Sequence, residues 1–323
     1  MRIVLASDEN YIPYIYVSLL TLFQSNINED YKVTYVYQNV SEEKLKHLKE
    51  LGEKYNRDVE IRAFVMPREY EVLPAYANSK TTYAKFLFAS MFPDDEQVIY
   101  LDPDTIILNS LDYILNLDLG MDLIAGVTEC LPHYHKAASH MAQSDHYING
   151  GVVICNLKQW RKENFEKKAL RRLTNTHLNL NYDQGILNEL CSGRIRVLSP
   201  KYNVLAEVFE FRSAELLIKR YKFDSYYTQA EIDEAVFKPV IVHFTGFLYG
   251  KPLSRYCTHP YSDLFVKKLK ECPWGVTLNN DVLNTKQRFR KWVLSNMPFG
   301  IYNLIENFLD IRRLILLYLG KSK

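Results

Sequence analysis

The sequence lacks the patterns that define several common classes of protein. Among its 323 residues there is no run of about 18 apolar residues, so we expect no membrane-spanning helix. The apolar run at residues 3–6 is too short for a signal peptide, which favours a cytoplasmic protein. The five cysteines form no Cys-x-x-Cys pair, so neither a zinc site nor a redox dithiol is indicated. Lys and Arg number 40 against 38 Asp and Glu, so no basic field argues for nucleic acid.

Two phosphate-binding loops are also missing. No Gly-x-Gly-x-x-Gly follows the first predicted strand, which weakens a dinucleotide-binding interpretation, and no Gly-x-x-x-x-Gly-Lys-Ser/Thr occurs anywhere.

The composition itself is core-forming, with 47% hydrophobic and 24% charged residues, and it holds 24 Tyr and 16 Phe but only 3 Trp. A tyrosine side chain suits places that are apolar at one end and solvated at the other, so protein interfaces, sugar-binding sites and membrane edges are all candidate locations for these residues.

Strand-like and helix-like segments alternate along the first half of the chain, which predicts an α/β fold with a mainly parallel sheet flanked by helices. Apolar runs predict strands at residues 2–7, 33–37, 59–65, 97–101, 123–127, 151–155 and 240–244. Helical spacing predicts helices at residues 11–25, from residue 42 onward, and at 81–92, 110–117, 157–173 and 182–190. In such a sheet, ligands bind at the carboxyl ends of the strands.

One strand end carries an Asp-Pro-Asp triplet, Asp102 to Asp104. Two carboxylates in a proline-stiffened turn can face one hard cation, and oxygen ligands suit Mg²⁺ or Mn²⁺, especially where substrate phosphates complete the shell. His243 closes another apolar strand, and Lys251 downstream could supply a point charge for phosphate. Asp102, Asp104 and His243 are therefore our candidate metal ligands. An ordinary acidic turn and a core histidine are the alternatives.

The chain resembles glycosyltransferase family eight, the family of glycogenin and of bacterial lipopolysaccharide galactosyl- and glucosyltransferases. The resemblance covers roughly residues 1–255 and rests on six motifs that occur in family order. These are Ile-Val-Leu-Ala-Ser-Asp-Glu-Asn-Tyr at 3–11, Thr-Thr-Tyr-Ala-Lys at 81–85, Val-Ile-Tyr-Leu-Asp-Pro-Asp at 98–104, Tyr-Ile-Asn-Gly-Gly-Val-Val-Ile-Cys-Asn-Leu at 147–157 with Trp160 and Arg161, Asp-Gln-Gly-Ile-Leu-Asn at 183–188, and His-Phe-Thr-Gly at 243–246 with Lys251 and Pro252.

This resemblance implies a Rossmann-like GT-A fold that uses a UDP-sugar and manganese, with magnesium as the alternative metal, and that retains the configuration at the anomeric carbon. It assigns metal ligation to Asp102, Asp104 and His243. It places the catalytic pair, Gln184 and Asp183, near the donor sugar, although Asp183 could instead simply cap the following helix. The implied nucleotide-sugar contacts are Ala6, Ser7, Asp8, Asn10, Tyr11, Lys85, Asp102, Pro103, Asp104, Asn149, Gly150, Asp183, Gln184, Gly246 and Lys251.

Three positions depart from the family pattern. Lys85 stands where the family commonly has Arg, so it keeps a charge but loses the bidentate fork. Gly185 replaces an acidic residue after Asp-Gln, which removes a possible hydroxyl acceptor. The gap between Gly246 and Lys251 is about two residues longer than usual, which weakens the assignment of Lys251 to the diphosphate.

The polar segment at residues 129–146 contains four histidines, His133, His135, His140 and His146. A His-x-His spacing is compatible with zinc, but no cysteine lies at zinc spacing. We favour an acceptor-side lid that shields the donor sugar from water.

The chain divides into a catalytic domain, residues 1–280, and a tail, residues 281–323. Residues 1–110 form the nucleotide-sugar half of the domain, and residues 111–255 the acceptor half. The tail has eight Lys or Arg against three Asp or Glu, a charge of about +5, which leaves about −3 for the rest. Its basic, aromatic and amphipathic pattern suits an anionic membrane interface, with Tyr302 and Tyr318 at the membrane edge. The alternative is a helix pair packed on the domain or on another subunit.

The sequence thus predicts a retaining, metal-dependent enzyme that moves glucose or galactose from a UDP-sugar to a cell-surface glycan such as lipopolysaccharide or capsule. We expect it on the inner face of the cytoplasmic membrane, with UDP-sugar, an oligosaccharide or glycolipid acceptor and anionic lipid as its partners, and no nucleic acid. A nucleotidyltransferase and a catalytically inactive UDP-sugar-binding protein remain the alternatives.

Overall fold

The computed structural model describes residues 1–71, 73, 80–132, 134–174 and 182–318. His133 therefore lies outside the described residues, and the side chain of Tyr318 does too. The strands are β1 Arg2–Asp8, β2 Lys32–Gln38, β3 Val59–Ala63, β4 Gln97–Leu101, β5 Thr105–Ile107, β6 Ile124–Thr128, β7 Ile148–Asn156, β8 Ile195–Val197 and β9 Ile241–His243.

Seven of these strands form one twisted sheet in the order β3-β2-β1-β4-β7-β6-β8. The pairs β1/β2, β2/β3, β1/β4 and β6/β8 are parallel, as predicted, whereas β7 runs antiparallel to both of its neighbours, β4 and β6. The remaining strands, β5 and β9, form a short antiparallel ribbon. This ribbon and the inserted β7 bring distant parts of the chain to the carboxyl end of β4.

The helices are α1 Ile12–Ser25, α2 Glu42–Lys54, α3 Phe88–Met91, α4 Asp112–Leu115, α5 Tyr134–Ala138, α6 Leu157–Lys162, α7 Phe165–Thr174, α8 Tyr182–Cys191, α9 Ala206–Phe211, α10 Ala214–Tyr221, α11 Gln229–Phe237, α12 Ser262–Leu269, α13 Thr285–Asn296 and α14 Phe299–Tyr318. Short 3₁₀ turns occupy Glu9–Tyr11, Arg68–Tyr70, Thr81–Leu87 and Pro200–Tyr202.

Two predicted helices are wrong in detail. The predicted helix at 81–92 is mostly a 3₁₀ turn followed by the single turn of α3. The predicted helix at 157–173 breaks into α6 and α7, because Asn164 adopts a left-handed backbone with φ of 52°. Part of the polar segment at 129–146 folds as α5.

Both faces of the sheet are buried, which explains why β1 and β4 are continuous apolar runs. Ile3 and Leu5 of β1 join one hydrophobic core, and Val4 and Ala6 join the other. The helix α1 lies against the first core with most of its side chains buried. The sheet therefore holds the β4 carboxyl end between two packed layers.

The tail packs on the catalytic domain. Tyr302 of α14 is 1% exposed and joins the larger core, so its predicted position at a membrane edge is wrong. Glu306 and Asp310 of α14, which are 0% and 7% exposed, accept hydrogen bonds from the buried Arg220 of α10 at 3.1 and 2.9 Å. Glu306 also accepts from Arg290 of α13. A buried ionic network thus joins both tail helices to the domain.

Across the described ranges, none of the helices has the length and apolar character that crossing a bilayer requires.

Candidate active site

The Asp-Pro-Asp turn follows β4 and brings two carboxylates to the end of the sheet. The β5/β9 ribbon sets His243 beside them, because Thr105 pairs with His243 and the Phe244 N–H donates to the Asp104 carbonyl at 2.9 Å. His243 Nε2 lies 3.3 Å from Asp104 Oδ1 and 3.6 Å from Asp102 Oδ2. One ligand atom from each of these three residues lies within 4.8 Å of the others. The predicted metal ligands therefore converge.

The charges around these carboxylates are balanced by neighbouring cations. Lys251 Nζ donates to Asp104 Oδ2 at 2.5 Å. Burial alone would raise the pKa of Asp104, but Lys251 and His243 outweigh it and hold this pKa below its ordinary value. Burial dominates at Asp102 and raises its pKa, although Lys85 and His243 act in the opposite direction. The pKa of His243 is raised because Asp104 and Asp102 outweigh its burial.

A chain of amide side chains orients His243. The Asn203 Nδ2 donates to Asn149 Oδ1 at 2.9 Å, so Asn203 Oδ1 is the atom that faces His243 Nδ1, at 3.1 Å. Nδ1–H then donates to Asn203, and Nε2 faces the carboxylates. The Gly151 N–H also donates to Asn149 Oδ1. A Cβ on Gly151 would overlap the His243 ring and lie 2.7 Å from Asp102 Oδ2, so this position has room only for glycine.

A second polar network lines the same cleft as the metal ligands. Lys85 is 4% exposed; its Nζ lies 2.6 Å from Asp183 Oδ2 and donates to the Gly150 carbonyl at 3.2 Å. The Gly150 N–H donates to Gln184 Oε1 at 2.9 Å, and Gln184 Nε2 donates to Glu129 Oε2 at 3.1 Å. Asp183 is the second residue of α8, so it does not occupy the N-cap position of that helix. Its carboxylate instead pairs with Lys85 and lines the cleft.

These groups line one cleft of about 550 Å³, a size that suits a nucleotide sugar. The predicted residues that line it are Ala6, Ser7, Tyr11, Lys85, Asp102, Pro103, Asp104, Asn149, Gly150, Asp183, Gln184, His243 and Lys251. Three predicted residues, Asp8, Asn10 and Gly246, are not part of the lining. Asp8 Oδ1 accepts from the Asn10 N–H at 3.0 Å, and Gly246 forms a turn with φ of 91°.

The sequence prediction missed several lining residues, namely Thr81, Thr82, Tyr100, Glu129, Cys130, Leu131, Glu207 and Thr245. Glu129 follows β6 directly, so the strand-end argument that selected Asp102 could have found it. Its Oε2 accepts from Asn149 Nδ2 at 2.6 Å as well as from Gln184. Glu207 lies on α9, a helix that the sequence patterns did not predict. Burial, and then Glu129, raise the pKa of Glu207 to about 8.

The histidines of the 129–146 segment do not join a metal cluster in the described part of the chain, where Asp102, Asp104 and His243 form the group with ligand geometry. His135 stacks on Tyr134 with ring centroids 4.4 Å apart. Burial, and then Arg313 of the tail, lower the pKa of His135 to about 4.

Comparison with known proteins identifies the class. The family model described as glycosyl transferase family 8 matches residues 2–252. General stress protein A of Bacillus subtilis is 23% identical, over 88% of this chain and 98% of that protein. A lipopolysaccharide 1,2-glucosyltransferase of Escherichia coli is 25% identical, over 83% of this chain and 77% of that protein.

A solved structure of the galactosyltransferase LgtC with donor and acceptor sugar analogs superposes with a TM-score of 0.71. It is 21% identical and covers 90% of this chain and 99% of its own. This likeness confirms the predicted GT-A fold. The chain belongs to glycosyl transferase family 8, so the predicted family is confirmed.

Proposed function

We propose that this protein transfers glucose or galactose from a UDP-sugar to a hydroxyl of a cell-surface glycan, such as lipopolysaccharide or capsule, with retention at the anomeric carbon. The observation that carries the proposal is that Asp102, Asp104 and His243 converge beside Lys251 in a cleft that Asp183 and Gln184 also line. Family membership and the names of the relatives, which include a lipopolysaccharide glucosyltransferase, support the choice of donor and acceptor.

The three converging ligands fit a divalent cation. Two carboxylates and one imidazole provide a mixed oxygen and nitrogen set, and Asn203 fixes the imidazole with Nε2 toward the carboxylates. Such a set suits Mn²⁺, with Mg²⁺ as the second choice, and leaves positions for diphosphate oxygens. A bound cation would neutralise the charge that develops on the departing UDP.

Lys251 is positioned to act on the same leaving group. Its ammonium lies 2.5 Å from Asp104 and is held by the Phe244 carbonyl at 3.0 Å, so it is aimed at the cation end of the cleft. As the bond between the anomeric carbon and the diphosphate breaks, the ammonium stabilises the negative charge. We assign the uridine end to Ala6, Ser7, Tyr11 and Pro103, which line the cleft, and to Asp8 and Asn10, which lie outside its lining. We assign Gly246, together with Lys251, to the diphosphate.

The sugar end holds the donor hexose. Asn149 and Gly150, with Lys85, Asp183 and Gln184, form a network that can hydrogen-bond the hydroxyls of the hexose. In the proposed step, an acceptor hydroxyl attacks from the side of the leaving group. Its oxygen bonds to the anomeric carbon, and its proton passes to a diphosphate oxygen, so retention requires no carboxylate nucleophile. Gln184 then supports the anomeric centre, with Asp183 as the nearby carboxylate. Glu129, Cys130 and Leu131 line the same cleft, and the 129–146 segment that they begin is our candidate for the lid.

Donor turnover tests the main proposal. Purified protein with Mn²⁺ should hydrolyse UDP-glucose or UDP-galactose slowly and release UDP, and Asp104→Asn should reduce this rate at least a hundredfold. Asp263→Asn, an exposed carboxylate on α12, is the matched control and should leave the rate unchanged. A nucleotidyltransferase would instead release pyrophosphate from UTP and a hexose 1-phosphate, and it would release no UDP from the UDP-sugar. UDP binding without any turnover of UDP-sugars would identify an inactive binding protein.

The tail is our proposed site of membrane contact. The face of α14 opposite the buried network carries five apolar side chains that are between 44% and 71% exposed, namely Ile301, Leu304, Phe308, Ile311 and Ile315. Exposed cations lie close by in sequence at Lys286, Arg288, Arg312 and Arg313. Apolar side chains flanked by positive charge suit the surface of an anionic bilayer, so we place the protein at the inner face of the cytoplasmic membrane.

Vesicle binding tests this contact. The double variant Leu304→Glu/Phe308→Glu should lose more than tenfold in affinity for vesicles containing phosphatidylglycerol, because each apolar side chain contributes about 1.5–3 kcal/mol when buried. Val65→Glu, at an equally exposed apolar side chain outside the tail, should bind normally. Equal binding of all three proteins would refute the membrane role and leave the transferase proposal intact.

A further inference from the structure

Tyr100 contacts the metal-ligand cluster through its hydroxyl. It lies on β4, is 3% exposed, and lines the cleft two residues before the first ligand. Its hydroxyl donates to Asp102 Oδ1 at 2.7 Å. The other oxygen, Asp102 Oδ2, faces His243 Nε2 at 3.6 Å. The two oxygens of this carboxylate therefore have different partners.

We propose that Tyr100 is a positioning residue that fixes the rotation of the Asp102 carboxylate and presents Oδ2 to the cation. The proposal rests on the metal site of the proposed function. A carboxylate on a short side chain can turn about its last bond, and a hydrogen bond to one oxygen selects one orientation. With Oδ1 held by the phenol, Oδ2 points toward the space shared by Asp104 and His243.

The ring of Tyr100 is itself fixed, so the hydroxyl has a defined position. Lys85 Nζ lies 4.4 Å from the ring centroid on one face, within the range of a cation–π contact. Phe88 packs against the ring with centroids 5.9 Å apart. Lys85 is in turn held by Asp183 and Gly150. Contacts from the sugar end of the cleft thus determine where the phenol meets Asp102.

A purely structural alternative exists, because a buried tyrosine hydroxyl needs some partner and Asp102 could serve only as that partner. The two roles differ in what they do to metal affinity. If Tyr100 only satisfies its own hydroxyl, its loss affects stability alone. If it orients Asp102, its loss weakens cation binding by about 10- to 100-fold, the usual effect of removing a group that orients a metal ligand.

Tyr100→Phe separates these roles, because phenylalanine keeps the ring between Lys85 and Phe88 and removes only the hydroxyl. The matched control is Tyr16→Phe. Tyr16 lies on α1, is 7% exposed and is outside the cleft lining, and its hydroxyl donates one hydrogen bond to the Glu271 carbonyl, which phenylalanine would lose. Mn²⁺ binding in the presence of UDP is measured by electron paramagnetic resonance of the free ion. Thermal unfolding without metal measures folding, and the Mn²⁺ concentration for half-maximal donor hydrolysis is a second readout.

We expect Tyr100→Phe to weaken Mn²⁺ binding at least tenfold and to raise the half-maximal Mn²⁺ concentration in parallel. The hydrolysis rate at saturating Mn²⁺ should stay within about threefold, and the loss of melting temperature should not exceed that of Tyr16→Phe. Wild-type Mn²⁺ affinity in Tyr100→Phe would overturn the inference and leave the proposed function standing. An equal loss of Mn²⁺ affinity in Tyr16→Phe would also overturn it. Absence of Mn²⁺ binding in the wild-type protein with UDP would overturn both.

Discussion

Glu306 provides a direct test of how the tail is attached to the domain. Its carboxylate is 0% exposed, accepts from Arg220 at 3.1 Å and from Arg290 at 2.8 Å, and links α14 to both α10 and α13. Glu306→Gln keeps the shape of the side chain but removes the charge, so both guanidinium groups lose a charged partner inside the protein. Breaking a buried pair in this way costs about 3–5 kcal/mol. Because Asp310 still accepts a hydrogen bond from Arg220 at 2.9 Å, we expect the loss in free energy of unfolding to lie near the lower limit, about 3 kcal/mol.

Urea denaturation followed by circular dichroism measures this loss as a change in the free energy of unfolding. The control is Glu234→Gln, whose carboxylate also accepts from a cation, Lys201, at 2.8 Å, but on a side chain that is 47% exposed. An exposed pair contributes only about 0–1 kcal/mol, so the control should lie within that range. If both variants lose the same free energy, the buried network does not hold the tail. If only Glu306→Gln is destabilised, truncation of the tail leaves Arg220 without its partners and is a poor route to a stable catalytic domain.

Three further predictions concern the cleft and its surroundings. Gly151→Ala should abolish measurable Mn²⁺ binding in calorimetry, because its Cβ would displace the His243 ring and crowd Asp102; unchanged binding would contradict the geometry. Burial lowers the pKa of His259 to about 3, so as the pH falls the unfolded chain binds a proton before the folded protein does. The free energy of unfolding should therefore fall below pH 6.5 by up to about 1.4 kcal/mol per pH unit. Urea titrations of His259→Gln should show a flatter dependence on pH. The pKa of Glu207 is raised to about 8, so the folded state retains its proton and stability should fall as the pH rises from 4.5 to 8. The slope should be similar to that at His259, because in both cases up to one bound proton distinguishes the folded from the unfolded state, and Glu207→Gln should remove it.

Much of the fold was predictable because buried strands have a strong local pattern. Continuous apolar runs marked β1, β4 and β7. The carboxylates that follow β4 and the histidine that ends β9 marked the proposed cation site. The direction of β7 was not predictable, because a strand buried on both faces has the same apolar pattern whether its neighbours are parallel or antiparallel. Yet this direction is what places Gly151 beside Asp102, where its carbonyl accepts from the Asp102 N–H at 2.6 Å.

Contacts between distant segments of the chain could not be predicted from the sequence either. Glu207 and Tyr100 have no special local pattern, and they become site residues only because α9 and β4 border the same cleft. The packing of the tail could not be predicted for a similar reason. Its amphipathic pattern correctly predicts helices, but α14 is apolar on two faces, and no local rule says that Tyr302 packs inward while Phe308 stays exposed.

The ligand cluster also has a consequence for the order of folding. Lys251 and Asp104 meet although 147 residues separate them in the chain, and the β5/β9 ribbon that holds His243 closes a loop of similar length. Long loops close late, because their entropy cost must be met before distant contacts form. The proposed cation pocket is therefore complete only when β9 has docked, and a nascent chain that has not yet reached residue 243 lacks the His243 ligand. Uptake of Mn²⁺ during refolding would report one of the last steps, and the metal would stabilise the finished protein without guiding its early assembly.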